Sequence, residues 1–170
     1  MMLSFARHVA IFRWPPLLLC LGLLLVGCQT LSGTEGLTEE QINVLREIGF
    51  HEEGDNWGFD LDGRILFDLN AAELSEQNRK VIARMVKSLK TIGITRLIVE
   101  GHSDITGDKL YNEWLSLRRA RAVAREISRN GLSYGNITVK GYGVANPIGD
   151  NATREGRAQN RRVVIIVPVE

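Results

Sequence analysis

Apolar positions change period along this chain, and each change predicts an element. An apolar run, LLLCLGLLLV, fills 17–26 and follows Arg7 and Arg13 with no acidic residue before it. From Thr38 the spacing turns helical: Ile42, Leu45 and Ile48 share a face, Thr38 and Gln41 fit a capping box, and Gly49 can end the helix. Trp57, Phe59 and Leu61 then alternate with polar or small residues up to Asp62-Gly63, a hairpin-turn signature, after which RILF at 64–67 resumes as a strand. Val81, Ile82, Met85, Val86 and Leu89 form a helical stripe between an N-cap at Ser75 and a stop at Gly93. The run 96–100 predicts a buried strand. A second long helix, from about Asp108 to Asn130, carries Leu117, Ala120, Val123, Ala124 and Ile127 on one stripe before Gly131 ends it. Strands at 137–139 and 162–167 complete the order β-α-β-α-β-β, an α+β fold of two layers with helices on one side of a mixed sheet.

The run at 17–26 is half of the roughly 20 apolar residues that a membrane-spanning helix needs, so with its basic flank it reads as the centre of a signal peptide. It ends in Leu25-Val26-Gly27-Cys28, which resembles a bacterial lipobox. That resemblance implies removal of residues 1–27, acylation of Cys28, and a flexible acylated tether at 28–37, where Gly, Ser and Thr dominate. Gln29, where Asp would signal retention in the inner membrane, implies attachment to the outer membrane with the domain facing the periplasm. Cys20 leaves with the leader and Cys28 is consumed by the lipid, so no disulfide is expected and stability falls to the core.

Composition narrows the function. The 170 residues suffice for one domain of common size plus an appendage, divided here into a lead-in of short helix and strands at 38–63 and a main domain at 64–170. With 21 basic against 20 acidic residues the formal net charge is +1, which gives no electrostatic case for nucleic-acid binding.

The candidate chemistry sits where strand 96–100 runs into Gly101-His102-Ser103-Asp104, placing a carboxylate in a loop at a strand end. On the following helix Asn112, Ser116 and Arg119 are spaced i, i+4, i+7, so Asn112 and Arg119 lie about 20° apart on one ridge. A carboxylate near the helix start and a guanidinium two turns along form a dipolar pair suited to a ligand with both an ammonium and a carboxylate. His102 and Asp104 lack the third ligand a metal site needs. His102, Ser103 and Asp104 fail as a hydrolytic triad, because consecutive extended residues point to alternate sides and no G-x-S-x-G elbow is present. No nucleophile with a base is found, so no enzymatic activity, metal or cofactor is expected.

Four segments, IVEGHSD at 98–104, YNEWLSLRRA at 111–120, GYGVANP at 141–147 and NATREGRAQNRRV at 151–163, resemble in order and spacing the peptidoglycan-binding domain shared by OmpA, MotB and the peptidoglycan-associated lipoproteins. LFDLNAAEL at 66–74 resembles the family's first strand and the ligand-side loop after it. The resemblance implies the OmpA C-terminal-like sandwich and non-covalent binding of the meso-diaminopimelate in the stem peptide of peptidoglycan. On it, Asp104 takes the ligand's ammonium, Arg119 its carboxylate and Asn112 a further hydrogen bond. Arg161 flanks the opening, and Asp68 and Leu69 line the other wall.

GLTEEQINVLREIGF, followed by Trp57, resembles the lead-in of the YfiB-type lipoproteins. That implies a second role, capture of a periplasmic regulator of the YfiR kind and so activation of an inner-membrane diguanylate cyclase. Leu45, Ile48 and Phe50 form an apolar patch that either folds back on the domain or meets such a partner. A homodimer is left open.

Overall fold

Helix α1 (Glu39–Glu47) begins at the expected capping box, with Gln41 N–H donating to Thr38 Oγ1 at 3.2 Å and Thr38 N–H donating to the Gln41 side chain at 2.9 Å. The computed structural model describes residues 36–62 and 73–169. The leader, residues 28–35 of the tether with Cys28, the strand expected at 64–67, and Asp68 and Leu69 lie outside them, whereas Leu37 at the end of the expected tether packs against the core. Among the described residues no helix is long and apolar enough to cross a membrane.

After α1 the chain turns at Gly49, whose φ of 97° suits glycine, into a hairpin of β1 (His51–Glu53) and β2 (Asn56–Asp62). Helix α2 (Glu76–Thr91), capped by Ser75, leads to β3 (Leu97–Gly101). Then come α3 (Lys109–Arg129), β4 (Ile137–Gly141), the short α4 (Arg154–Asn160) and β5 (Arg162–Val167). The sheet order is β1-β2-β5-β3-β4, with β3 and β4 parallel and the other neighbours antiparallel.

The expected α+β sandwich is therefore present, with two elements that the apolar pattern did not predict. Strand β1 is exposed along its length and polar, so it carries no alternation, and it pairs with β2 through a turn at Gly54-Asp55. Helix α4 is seven residues long and buries only Gly156, Ala158 and Asn160, too little for a 3.6-residue period to register. Asp62 closes β2, opposite Arg162, while its expected turn partner Gly63 falls outside the described residues.

One face of the sheet holds the core. Val163, Ile165 and Val167 alternate along β5 in register with Leu61, Phe59 and Trp57 of β2, and Val99 lies opposite Ile165. Against them pack Ile82, Met85, Val86 and Leu89 of α2 and Ala120, Val123, Ala124 and Ile127 of α3. Gly101 and Gly141 let α3 sit directly on the strand ends: a Cβ at Gly101 would run into the Ser116 carbonyl oxygen, and one at Gly141 would lie 2.6 Å from the Leu117 backbone. The lead-in joins this same core. Leu45 is 0% and Phe50 3% exposed, and the Phe50 and Phe59 rings meet at 5.3 Å. Among the described residues every member of the core lies in the compact unit 33–170, which holds this core by itself.

Candidate functional site

Parallel β3 and β4 end together at Gly101 and Gly141, and antiparallel β5 begins beside them at Arg162. The loops after β3 and β4 and the residue before β5 thus converge on one edge, near the first half of α3. His102 N–H donates to the Arg162 carbonyl at 2.9 Å, and Ser103 N–H to the Gly143 carbonyl at 2.7 Å, tying the three chain segments together.

Asp104 is 5% exposed. Its Oδ1 accepts from Thr106 N–H at 2.8 Å, and its Oδ2 is held by the Arg161 guanidinium. Burial acts to raise the Asp104 pKa, but the Thr106 and Arg161 bonds outweigh it, so the carboxyl stays below its ordinary range and is charged at neutral pH. Arg119, two turns beyond Asn112 on α3, is 6% exposed. Burial pushes its pKa down and Arg161 adds to that, while Tyr111 and Asp104 oppose it. A guanidinium remains charged through such a shift. The edge therefore holds one anion and two cations, with Asp104 and Arg119 buried and Arg161 half-buried, where charge-assisted hydrogen bonds are strong.

The structure brings Asp104, Arg119, Asn112 and Arg161 to this edge, with two changes in the role expected of them. Asn112 donates to the carbonyls of Asp104 at 3.3 Å and Thr106 at 2.9 Å, and its Oδ1 accepts from Ser103 Oγ at 2.8 Å. Both amide donors are committed to the loop, so Asn112 positions Asp104 and has no donor left for a ligand. Arg161 does more than flank: it is ion-paired to Asp104, 57 residues away in sequence.

Three further residues build the edge: Asn160, which the sequence reading passes over, and Ser116 and His102, which it names without giving them this role. Asn160, fully buried, accepts from Ile148 and Gly149 N–H at 2.8 Å and donates to the Gly149 carbonyl and Asn151 Oδ1 at 2.9 Å, doing for the second loop what Asn112 does for the first. Ser116 Oγ accepts from Gly143 N–H at 2.9 Å and joins that loop to α3. His102, 3% exposed, stacks on Tyr142 at 5.4 Å, and its Nδ1 has no hydrogen-bond partner among the described residues. Burial, then Arg162, hold its pKa down to about 4, so it is neutral at pH 7. The asparagines that open NRRV and follow Tyr111 are visible in the sequence, but nothing local shows that they are buried.

Among the described residues no cluster of His, Cys, Asp and Glu could hold a metal ion. The apolar patch of the lead-in takes the fold-back course. Leu45 and Phe50 offer no surface to a partner, and half-buried Ile48 lines a cavity of about 320 Å³ with Phe59, Val81, Arg84, Met85 and Ser88.

Residues 66–161 match the OmpA family. The chain is 42% identical over 146 residues to the outer-membrane lipoprotein YfiB of Pseudomonas aeruginosa, covering 86% of this chain and 87% of that one. It is 38% identical over 105 residues to the peptidoglycan-binding protein ArfA of Mycobacterium tuberculosis, covering 62% of this chain and 32% of that one. Among solved structures, the cell wall anchor of the type VI secretion system from Pseudomonas aeruginosa superposes with a TM-score of 0.66 at 27% identity, over 76% of this chain and 97% of that one.

Proposed function

The chain belongs to the OmpA family, and we propose that it is an outer-membrane lipoprotein whose domain holds peptidoglycan without turning it over, through the meso-diaminopimelate of the stem peptide. The observation that carries this is the juxtaposition of the buried Asp104 carboxylate and buried Arg119 with the half-buried Arg161 guanidinium at one loop edge. A free amino-acid terminus presents an ammonium and a carboxylate a few ångströms apart. Asp104 has lone pairs left to accept from the ammonium beside its Thr106 and Arg161 bonds, and Arg119 supplies the planar fork that matches a carboxylate. Asp68 and Leu69 complete the other wall on the family resemblance. The peptidoglycan-binding and cell-wall-anchoring relatives support the same reading, as does the lipoprotein relative for acylation at Cys28.

Co-sedimentation of residues 33–170 with isolated sacculi tests it, folding being checked by circular dichroism. Wild type should pellet, and Asp104→Ala and Arg119→Ala should each lose about a hundredfold in affinity, the scale of truncating one partner of a buried charge pair. Wild type remaining in solution, or both folded variants still pelleting, overturns the reading.

A second reading makes regulator capture the main role, with wall binding as the condition that positions the domain. It is favoured by the partly apolar cavity beside Ile48 and by the match to YfiB across the lead-in. Ile48→Asp should then lose a YfiR-like regulator while still pelleting with sacculi.

A further inference from the structure

The near-neutral total charge of this chain hides a strong segregation. Helices α2 and α3 together carry eleven Lys or Arg and three Glu, whereas residues 38–62 carry eight Asp or Glu and one Arg. On α3 the residues Tyr111, Trp114, Arg118, Arg121, Arg125 and Arg129 are all exposed. At 100° per residue they fall within an arc of about 80° that runs the length of the helix. The acids of α3 are not on that arc: Glu126 is buried under Arg79 and Arg129, and Glu113 sits against Gly143. Arg121 and Arg125 have no acidic partner among the described residues. Neighbouring α2, packed on the same side of the sheet, adds exposed Arg84 and Lys87 with none either.

The aromatic end of the arc has its own order. Trp114 is 49% and Tyr111 42% exposed, their rings lie 5.6 Å apart, and the Arg118 guanidinium stacks over the Trp114 ring at 4.5 Å. Leu110 beside them is 73% exposed. Burying none of these in the fold leaves an apolar, aromatic tip continuous with a cationic strip. That combination suits a surface with phosphate at one depth and hydrocarbon just below it.

We propose that the outer face of the helical layer, centred on α3, docks on an anionic phospholipid surface, with Arg118, Arg121 and Arg125 against the phosphates and Trp114, Tyr111 and Leu110 at the headgroup boundary. The acidic lead-in at 38–62, repelled by the same surface, is then held away from it. Asp104 takes no part in the contact, since it is buried at the loop edge.

The test uses residues 33–170, which lack the lipidation cysteine, and vesicles of phosphatidylcholine alone or with about a third phosphatidylglycerol. Sedimentation should show at least about tenfold more protein on the anionic vesicles at low salt, and most of that binding should vanish near 0.5 M salt, roughly, where charges are screened. Arg121→Glu with Arg125→Glu should abolish the preference, and the neutral pair Arg121→Gln with Arg125→Gln should give an intermediate loss. Both pairs are exposed changes that leave the circular dichroism spectrum unaltered and sacculus pelleting intact. Tryptophan emission should shift to the blue on anionic vesicles, and Trp114→Phe should remove that shift, because Trp57 is already buried. Asp104→Ala should bind vesicles like wild type, so failure of the wall-binding reading leaves this one standing. Equal binding to both vesicles, anionic binding that survives the double reversal, or a double reversal that instead stops the protein pelleting with sacculi would each overturn it. The last outcome would assign the arginine face to the wall, and capture of an acidic protein in place of vesicles would assign it to that protein.

Discussion

Arg118 and Arg119 are adjacent on one helix and belong to different worlds. Arg119 is buried at the loop edge, its charge set against Asp104 and Arg161, whereas Arg118 lies in solvent over the Trp114 ring. The edge is built from segments up to 57 residues apart: Arg161 closes on Asp104, and Asn112 and Ser116 of α3 tie down the two loops. The outer face of α3 is one continuous stretch in which no residue depends on a distant partner to be where it is. A buried polar edge gains geometric precision at the risk of collapsing when one member is lost, while an exposed strip tolerates loss but contributes only through the sum of its charges. The two regions should therefore respond very differently to single substitutions.

The largest effect on that contrast after removal of Asp104 or Arg119 is expected from pH. His102 in the edge has its pKa lowered to about 4, below the ordinary value of 6.5, so the unfolded chain takes up a proton in this window before the folded one does. Stability from this group is complete above pH 6.5, falls as the pH drops towards 4, and is then lower by about 3 kcal/mol. Urea titrations across that range should show the slope, and His102→Asn should flatten it. An unchanged slope would mean that other groups govern acid sensitivity.

Asn112→Ala comes next. It strips the carbonyls of Asp104 and Thr106 of their donor and should cost about 1–3 kcal/mol in stability. Because Asn112 positions the loop, sacculus binding should weaken with it even though the Arg119 guanidinium is untouched. Normal binding by a destabilised Asn112→Ala protein would show that Asp104 is held well enough by Thr106 and Arg161 alone. The smallest effect marks the other region: Arg125→Ala should change stability by less than about 0.5 kcal/mol in the same urea titration. A larger loss would show that the outer face is structural after all.

Legibility in the sequence followed the same divide. Helices α1, α2 and α3 and strands β3, β4 and β5 were readable within a residue or two because each presents a period to a single core. Strand β1 and helix α4 were not, since neither buries an apolar stripe. Asp104, Asn112 and Arg119 could be proposed from their spacing around the start of one helix. That both Asn112 donors are taken shows only once the loop 103–106 is folded over it, and that Asn160 mirrors it and Arg161 closes on Asp104 depends on β5 entering the sheet between β2 and β3.

Periodicity, caps and turn residues are local quantities, so the amino-acid sequence by itself determined which stretches would be helix or strand and which face of each would be apolar. It also carried the segregation of charge between the lead-in and the helices. Only the tertiary structure decided which polar residues lost their water. Burial depends on what the other strands and helices place around a residue, and two arginines side by side in sequence are separated there by a turn of 100° about the helix axis.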